Sequence, residues 1–531
     1  MDTLEFDYLV VGAGSAGNVI ARRLLDAGHR VAVLEAGDQD TNPDIANVCT
    51  LGALWHSEQD WDYHTVPQPG ASGRSLHLPR GKVMGGSHAL NATIWVRGAR
   101  QDYDTWAYLG CPGWSWEDVL PVFIKIEDYD GGASGTRGAG GLLDVTTGYE
   151  HHPIQDAMLA GAVEAGFELN EDYNSGDPEG VSRMQLNVRD GGRFNTWHAY
   201  LRPVADHPNL TLLTGAHVRR LVLEGGTVVG VEVEHDGGTR VLRATETILA
   251  AGAINSPELL LRSGIGPADE LAEVGVEVVH DLPGVGKNLQ DHLLSPVIFS
   301  TDEPLEAPTV APAEVHLFAK SRPDMAVPDT QPIFFSVPMY SQDYAGGEMG
   351  GADGGFSMLG GLVRPASRGE IRLTGPATTD PISIDLRALS EQADADALVA
   401  SVEHCRAIGR SPALQAWGAT EVYPGPAVTG EELEQYVRDS VVTYHHQVGT
   451  CRMGSDDGAV VDPRSLKVRG LQGVRIADAS IMPLVPTGNT NAPSVMIGER
   501  LAALLVEGDE VLPRGDDAEF PAHAAEGVGI A

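Results

Sequence analysis

The stretch that most restricts the fold is DYLVVGAGSAGNVIARRLLDAGHRVAVLEAG, residues 7–37. Tyr8 to Val11 read as a short apolar strand running into Gly12-Ala13-Gly14-Ser15-Ala16-Gly17, a GxGxxG turn. Val19, Ile20, Leu24 and Leu25 then fall on one face of a helix that Asp26-Ala27-Gly28 ends. Val31 to Leu34 make a second strand, closing on Glu35. In a βαβ unit of this kind Gly12 allows the tight turn and Gly14 lets the backbone approach a pyrophosphate. Gly17 permits close helix–strand packing, and the helix N-terminus attracts negative charge. Gly12, Gly14, Ser15, Ala16 and Gly17 are therefore candidate cofactor contacts. Glu35, 18 residues beyond Gly17, stands where a carboxylate would hold ribose hydroxyls. The bland alternative is a glycine-rich turn in some unrelated fold. Strand, helix, second strand and acid in agreement weigh against it. FAD and NAD both use this unit, so it does not name the cofactor.

At 531 residues the chain is too long for one ordinary domain, and two large units are expected. Its 74 acidic and 36 basic residues leave a net charge of −38, which argues against electrostatic binding to nucleic acid or an anionic membrane. Cys49, Cys111, Cys405 and Cys451 lie far apart without a CxxC, so they read as reduced thiols and no metal site is expected from them. The N-terminus has no basic region and no cleavage signal, and nowhere do eighteen apolar residues run uninterrupted. The expectation is a soluble, cytoplasmic protein without an integral membrane segment.

Further blocks follow along the chain: PRGKVMGGSHALNATIWVRG (79–98), GAINSPELLLRSGIG (252–266), DLPGVGKNLQDH (281–292), HHQVGTCRMG (445–454) and IADASIMPLVPTGNTNAPSVMIGERLAALL (476–505). Together with the N-terminal turn, and in this order, they resemble the glucose-methanol-choline (GMC) oxidoreductase family across nearly the whole chain. The resemblance implies an α/β (α+β overall) fold. A Rossmann-like FAD-binding domain would be interleaved with a substrate domain built on an antiparallel sheet with helices. The motif positions suggest FAD segments at 1–150, 194–293 and 446–515, and substrate segments at 151–193 and 294–445. Residues 516–531, small and acidic, read as a tail.

The resemblance also assigns roles. Gly85 and Gly86 would lie along the flavin, where glycines let the backbone pass a planar ring, and Asn91 would help hold it. Some relatives attach FAD through a histidine in this loop. Aligning on Gly85-Gly86 and Asn91 puts Leu90, not His88, at that position. FAD is thus expected to be non-covalent, with His88 at the surface or behind the site. Val218 would meet the adenine ring through its backbone amide, or be a plain strand residue. Asp478 would lie near the ribityl chain, with Ala251 packing closely there.

The pair His445-His446 admits three readings: a metal site, an inert core pair, or one catalytic base. No carboxylate or cysteine at ligand spacing accompanies it, so a metal is disfavoured. Oxidising an alcohol requires a base within hydrogen-bond reach of a weakly acidic hydroxyl, a task suited to histidine. Aligning on Val448-Gly449-Thr450 puts His446 at the family's base position and Asn491 at its partner, where it would orient the substrate oxygen. Gln447 departs from the family's usual proline. His445 replaces an aromatic residue and is expected in the core or lining the substrate cavity.

Choline-type relatives place a Glu just after the QDH motif, where this chain has Leu294, and half the expected tryptophan cage is missing. A neutral primary alcohol, aliphatic, benzylic or furanic, is the expected substrate. Trp61, Phe334, Phe335, Met339, Tyr340 and Phe356 are candidates for lining its pocket. The expected reaction is oxidation to the aldehyde with O2 as acceptor. A quinone- or dye-linked alcohol or choline dehydrogenase is the first alternative, and a GMC-fold hydroxynitrile lyase the second. The sequence leaves the oligomeric state open.

Overall fold

The computed structural model describes residues 5–341, 344, 349 and 354–508. The acidic tail expected at 516–531 lies outside the described residues. The strand Phe6–Val11 runs through the middle of a seven-stranded sheet. Val31–Leu34 pairs parallel to it on one side, with Leu210–Leu213 beyond, and the second half of Gly238–Leu249 pairs parallel on the other. Gly238–Leu249 also runs parallel to Val474–Ile476, while its first half joins Thr227–His235 and then His217–Glu224 in an antiparallel extension. Leu9, Val10 and Val31 to Leu34 are essentially inaccessible, as the central strands of a sheet covered on both faces must be.

Helix Ser15–Asp26 lies on this sheet through the face read from its periodicity. Val19, Ile20, Leu24 and Leu25 are at most 2% exposed, each contributing about 1.5–3 kcal/mol by burial. The last helix, Asn491–Glu507, packs against it at backbone distance: a Cβ on Gly498 would lie 2.9 Å from the Ala16 carbonyl oxygen. Arg23 clamps the pair through Glu499 at 2.7 Å. Residues 476 apart in sequence thus form one wall.

A second seven-stranded sheet is antiparallel throughout. Leu293–Ser300 pairs with Phe356–Leu362, Thr420–Tyr423 and Val442–Thr443. Beyond Phe356–Leu362 come Ile333–Phe335, Ala313–Phe318 and Gly180–Arg183. Helix Gln392–Gly409 covers one face, drawn close at Gly360, where a Cβ would meet Val402 N at 2.8 Å. Side chains alternate across a strand, so Phe299 and Phe356 face the helix and stack at 5.0 Å. Leu294, Ile333, Phe335 and Leu359 point the other way. Among the described residues no helix is long and apolar enough to cross a membrane, and the four cysteines form no disulfide.

Candidate active site

One cavity of about 860 Å³ runs from the glycine-rich turn to the His445-His446 pair. Gly12, Gly14, Ser15, Ala16, Glu35, Gly86, Asn91, Val218, Ala251 and Asp478 line it, and so do Trp61, Phe335, Met339, Tyr340, His445, His446 and Asn491.

The glycine-rich end is built by backbone. Gly12 has φ +101, and a Cβ there would lie 2.5 Å from the Ala250 carbonyl oxygen. Gly17 does not line the cavity; its absent Cβ lets the Gly12 carbonyl approach, which a side chain would meet at 2.0 Å. Gly86 has φ +55 and packs against Gly14, whose Cα a Cβ would reach at 2.7 Å. Gly85 stands one layer back, its N–H donating to the Ala13 carbonyl at 2.9 Å. No side chain caps helix Ser15–Asp26. Its first turn therefore faces the cavity as an anion-binding end.

Glu35 accepts from Ala13 N and Gly37 N, both at 2.9 Å, and burial pushes its carboxyl up to about 7 despite those donors. Asp478 accepts from Gly252 N at 2.8 Å, Ser256 Oγ at 2.5 Å and Ser480 N at 2.8 Å, so it ties Ala251 and Gly252 to the cavity wall. Asn91 Oδ1 accepts from Thr93 N and Arg193 Nη1. A side-chain-free cradle, an uncapped helix end and a buried carboxylate suit a dinucleotide. Leu90, also on the wall, offers no nucleophile.

At the other end His445 has φ +65, a left-handed turn that sends consecutive imidazoles apart. His445 points toward Trp55, edge-to-face at 5.3 Å, and its Nδ1 lies 2.7 Å from Thr443 Oγ1. His446 turns to His292, with the two Nδ1 atoms 3.0 Å apart, while its Nε2 lies 3.2 Å from Asn489 Nδ2. The backbone N–H of His446 donates to Asp291 at 2.7 Å, and Gln447 donates its side-chain amide to the same carboxylate. Gln447 therefore adds a second hydrogen bond to the carboxylate that holds the His446 backbone. Burial, then His292, His445 and Arg80, hold the His446 imidazole well below its ordinary value. Burial also pushes Asp291 up to about 7.

Several expectations need correction. Phe334 and Phe356 do not line the cavity; strand alternation turns both into the core, fully buried. Trp61 lines it at the far end, stacked on Tyr63 at 5.8 Å and edge-on to His217, the neighbour of Val218. The tryptophan beside the histidine pair is Trp55. Of the two places expected for His88, it takes the one behind the site and not the surface. It is fully buried, its pKa pushed down to about 3, and its Nε2 lies 3.2 Å from Asn491 Nδ2. Asn491 also accepts from Ser15 Oγ at 2.6 Å, so it joins the helix end to the loop of His88. The amide beside His446 is Asn489, two residues earlier, held by Gln331 at 3.2 Å. Asp291 and His292 were legible only as part of the QDH motif, with no role attached.

The N-terminal family profile, described as GMC oxidoreductase, matches residues 6–294, and the C-terminal GMC oxidoreductase profile matches 365–498. The chain belongs to the GMC oxidoreductase family. This GMC oxidoreductase is accordingly an FAD-dependent enzyme, in agreement with its dinucleotide cradle. It is 37% identical to an alcohol dehydrogenase [acceptor] of Pseudomonas putida, over 94% of this chain and 96% of that one. It is 36% identical to an oxygen-dependent choline dehydrogenase of Brucella anthropi, over 94% and 95%. Among solved structures it is similar to pyridoxine 4-oxidase from Mesorbium loti, with TM-score 0.90, 36% identity and coverage of 94% and 98%.

Proposed function

We propose that this GMC oxidoreductase oxidises a neutral primary alcohol to the aldehyde, with His446 as the base and O2 as the final acceptor. The observation that carries the reading is the position of His446. It borders an apolar cluster of Leu294, Ile333, Phe335, Leu359 and Tyr444, in the same cavity as the dinucleotide cradle. The Tyr444 ring centroid is 4.4 Å from that of His446. Bound, non-covalent FAD supplies the hydride acceptor.

Held neutral by burial, His446 has a lone pair free for the hydroxyl proton. In the tautomer whose Nδ1–H donates to His292, the lone pair is on Nε2, where the Asn489 amide N–H meets it until the substrate hydroxyl takes that place. Asn489 then orients the substrate oxygen, in place of the Asn491 expected from alignment. Asn491 keeps Ser15 and the His88 loop in register. His445 and Trp55 form the adjoining wall. The domain division at 150, 194, 294 and 446 belongs to the same reading: it is supported by the two sheets, whose strands come from either side of those boundaries.

An apolar pocket favours an uncharged alcohol over choline. A quaternary ammonium is best held by a carboxylate and an aromatic cage, and Leu294 on that pocket's wall offers neither. Pyridoxine 4-oxidase, named for an aromatic alcohol and for oxidase chemistry, supports both the substrate class and the acceptor.

The test is anaerobic mixing of the yellow protein with aliphatic, benzylic, furanic and pyridine-type alcohols and with choline, followed by air. Bleaching by a neutral alcohol with rapid recovery in air is expected. Bleaching that persists in air would replace O2 by a quinone or dye. Bleaching by none would turn the assignment toward the hydroxynitrile lyase. Release of the yellow colour on denaturation checks the non-covalent attachment.

A further inference from the structure

The loop that carries Trp55 and Trp61 gathers a second cluster, outside the base and its neighbours. Asp62 Oδ1 lies 2.6 Å from His56 Nδ1, 3.4 Å from His64 Nε2 and 3.2 Å from His77 Nε2. One atom from each of the four residues falls within 4.8 Å of every other. His56 and His77 line the cavity, whereas Asp62 and His64 do not. The cluster therefore sits on the rim, half open to solvent.

We propose that His56, Asp62, His64 and His77 form a binding site for a divalent transition-metal ion of the zinc type. Three imidazole nitrogens and one carboxylate oxygen are a donor set for Zn2+ and its neighbours, and a poor one for Mg2+ or Ca2+. With bonds of about 2.0–2.1 Å, tetrahedral ligands lie about 3.3–3.4 Å apart. The contacts of 3.2 and 3.4 Å already match that edge. The 2.6 Å contact opens to it when the ion replaces the shared proton.

A buried carboxylate, Asp60, fixes the frame. Its Oδ2 accepts from His56 N at 3.0 Å, and its Oδ1 accepts from Asp62 N at 3.0 Å and Arg80 N at 2.8 Å. These bonds bridge the two arms of the loop. Asp60 Oδ2 also lies 3.1 Å from His77 Nε2. Metal binding exchanges that hydrogen bond for a coordinate bond, leaving Asp60 on the backbone donors. The net charge of −38 adds a general attraction for cations but no selectivity among them.

The experiment is equilibrium dialysis of the flavin-loaded protein against Zn2+ alone, in excess Mg2+ to saturate ordinary carboxylate sites, with metal content measured per chain. One tightly held Zn2+ per chain is expected. His64→Ala and Asp62→Asn, each altering an exposed ligand that does not line the cavity, should weaken it by more than about 100-fold, above the loss from an outer-layer partner. Asn tolerates the left-handed backbone that position 62 adopts, at φ +53, so the second variant should fold even if the first does not. Zinc retention that is unchanged in both variants, or absent from the parent protein, would overturn the proposal. The experiment measures binding alone, so it stands apart from the alcohol-oxidation reading.

Discussion

Consider the pH dependence of flavin reduction. His446 must be neutral to accept a proton. An imidazole at the ordinary value of about 6.5 is about nine-tenths neutral at pH 7.5 and one-tenth neutral at pH 5.5. An enzyme using such a base would lose about tenfold in rate between those two values. The structure holds His446 well below that value, by burial first and then through His292, His445 and Arg80. The active, neutral form persists above the depressed value, so acidification to pH 5.5 should cost far less than tenfold. Asp291, pushed up to about 7 and accepting the His446 backbone N–H, titrates in the same window and must be separated. Asp291→Asn does this, because the Gln447 amide can reverse and offer its oxygen, which has no partner here, to the new amide. The assay is anaerobic stopped-flow bleaching at saturating alcohol from pH 5 to 9, in the parent and in Asp291→Asn. A tenfold loss with a midpoint near 6.5 in Asp291→Asn would refute the argument that burial keeps His446 neutral.

Further outcomes follow from the same geometry. Asn489→Ala removes the amide that aims the substrate oxygen at His446, a neutral hydrogen bond worth about 0.5–1.5 kcal/mol, so bleaching should slow by about 2- to 13-fold. Asn491→Ala should chiefly weaken FAD retention, and the reverse ranking in stopped-flow and flavin titration would restore Asn491 beside the base. Gly17→Ala forces a Cβ against the Gly12 carbonyl oxygen at 2.0 Å, so the purified protein should be colourless. Phe356→Ala, in the core, should cost about 3–5 kcal/mol in denaturant unfolding while leaving the ranking of alcohols unchanged. Phe335→Ala, on the cavity wall, should instead change KM among them. Acid stability offers an independent check. His88, His292, His316 and His445, each pushed down to about 3 chiefly by burial, His217, pushed down to about 4, and His446, held well below its ordinary value, bind protons chiefly on unfolding. Their stabilisation is present above about 6.5 and is lost as pH falls below it. Glu35, Asp291 and Glu314, pushed up to about 7, act in the opposite sense between about 4.5 and 7. Six groups against three predict a net loss of about 4 kcal/mol per pH unit from pH 6.5 to 4.5. A thermal midpoint that stays level from pH 6.5 to 5 would contradict this balance.

Features that depend on local chain geometry were legible from the residues alone. The turn from Gly12 to Gly17 needs residues without a Cβ at fixed spacing, so the βαβ unit and Glu35 were legible from residues 7–37. The family resemblance located His446, the Gly85-Gly86 loop and Asp478, because their motifs are contiguous. Position across a sheet was not legible. Phe334 and Phe335 are adjacent and equally apolar, and only the register of Ile333–Phe335 against Phe356–Leu362 sends one to the core and the other to the cavity. The GNTN run offers two asparagines, and the packing of helix Asn491–Glu507 on Ser15–Asp26 decides that Asn491 meets Ser15 while Asn489 meets His446. The same holds for His56, Asp62, His64 and His77. Their spacing matches no local ligand pattern, and they converge only because Asp60 draws two arms of a loop together. Contacts between distant segments depend on how elements pack, and that was decided by the tertiary structure alone.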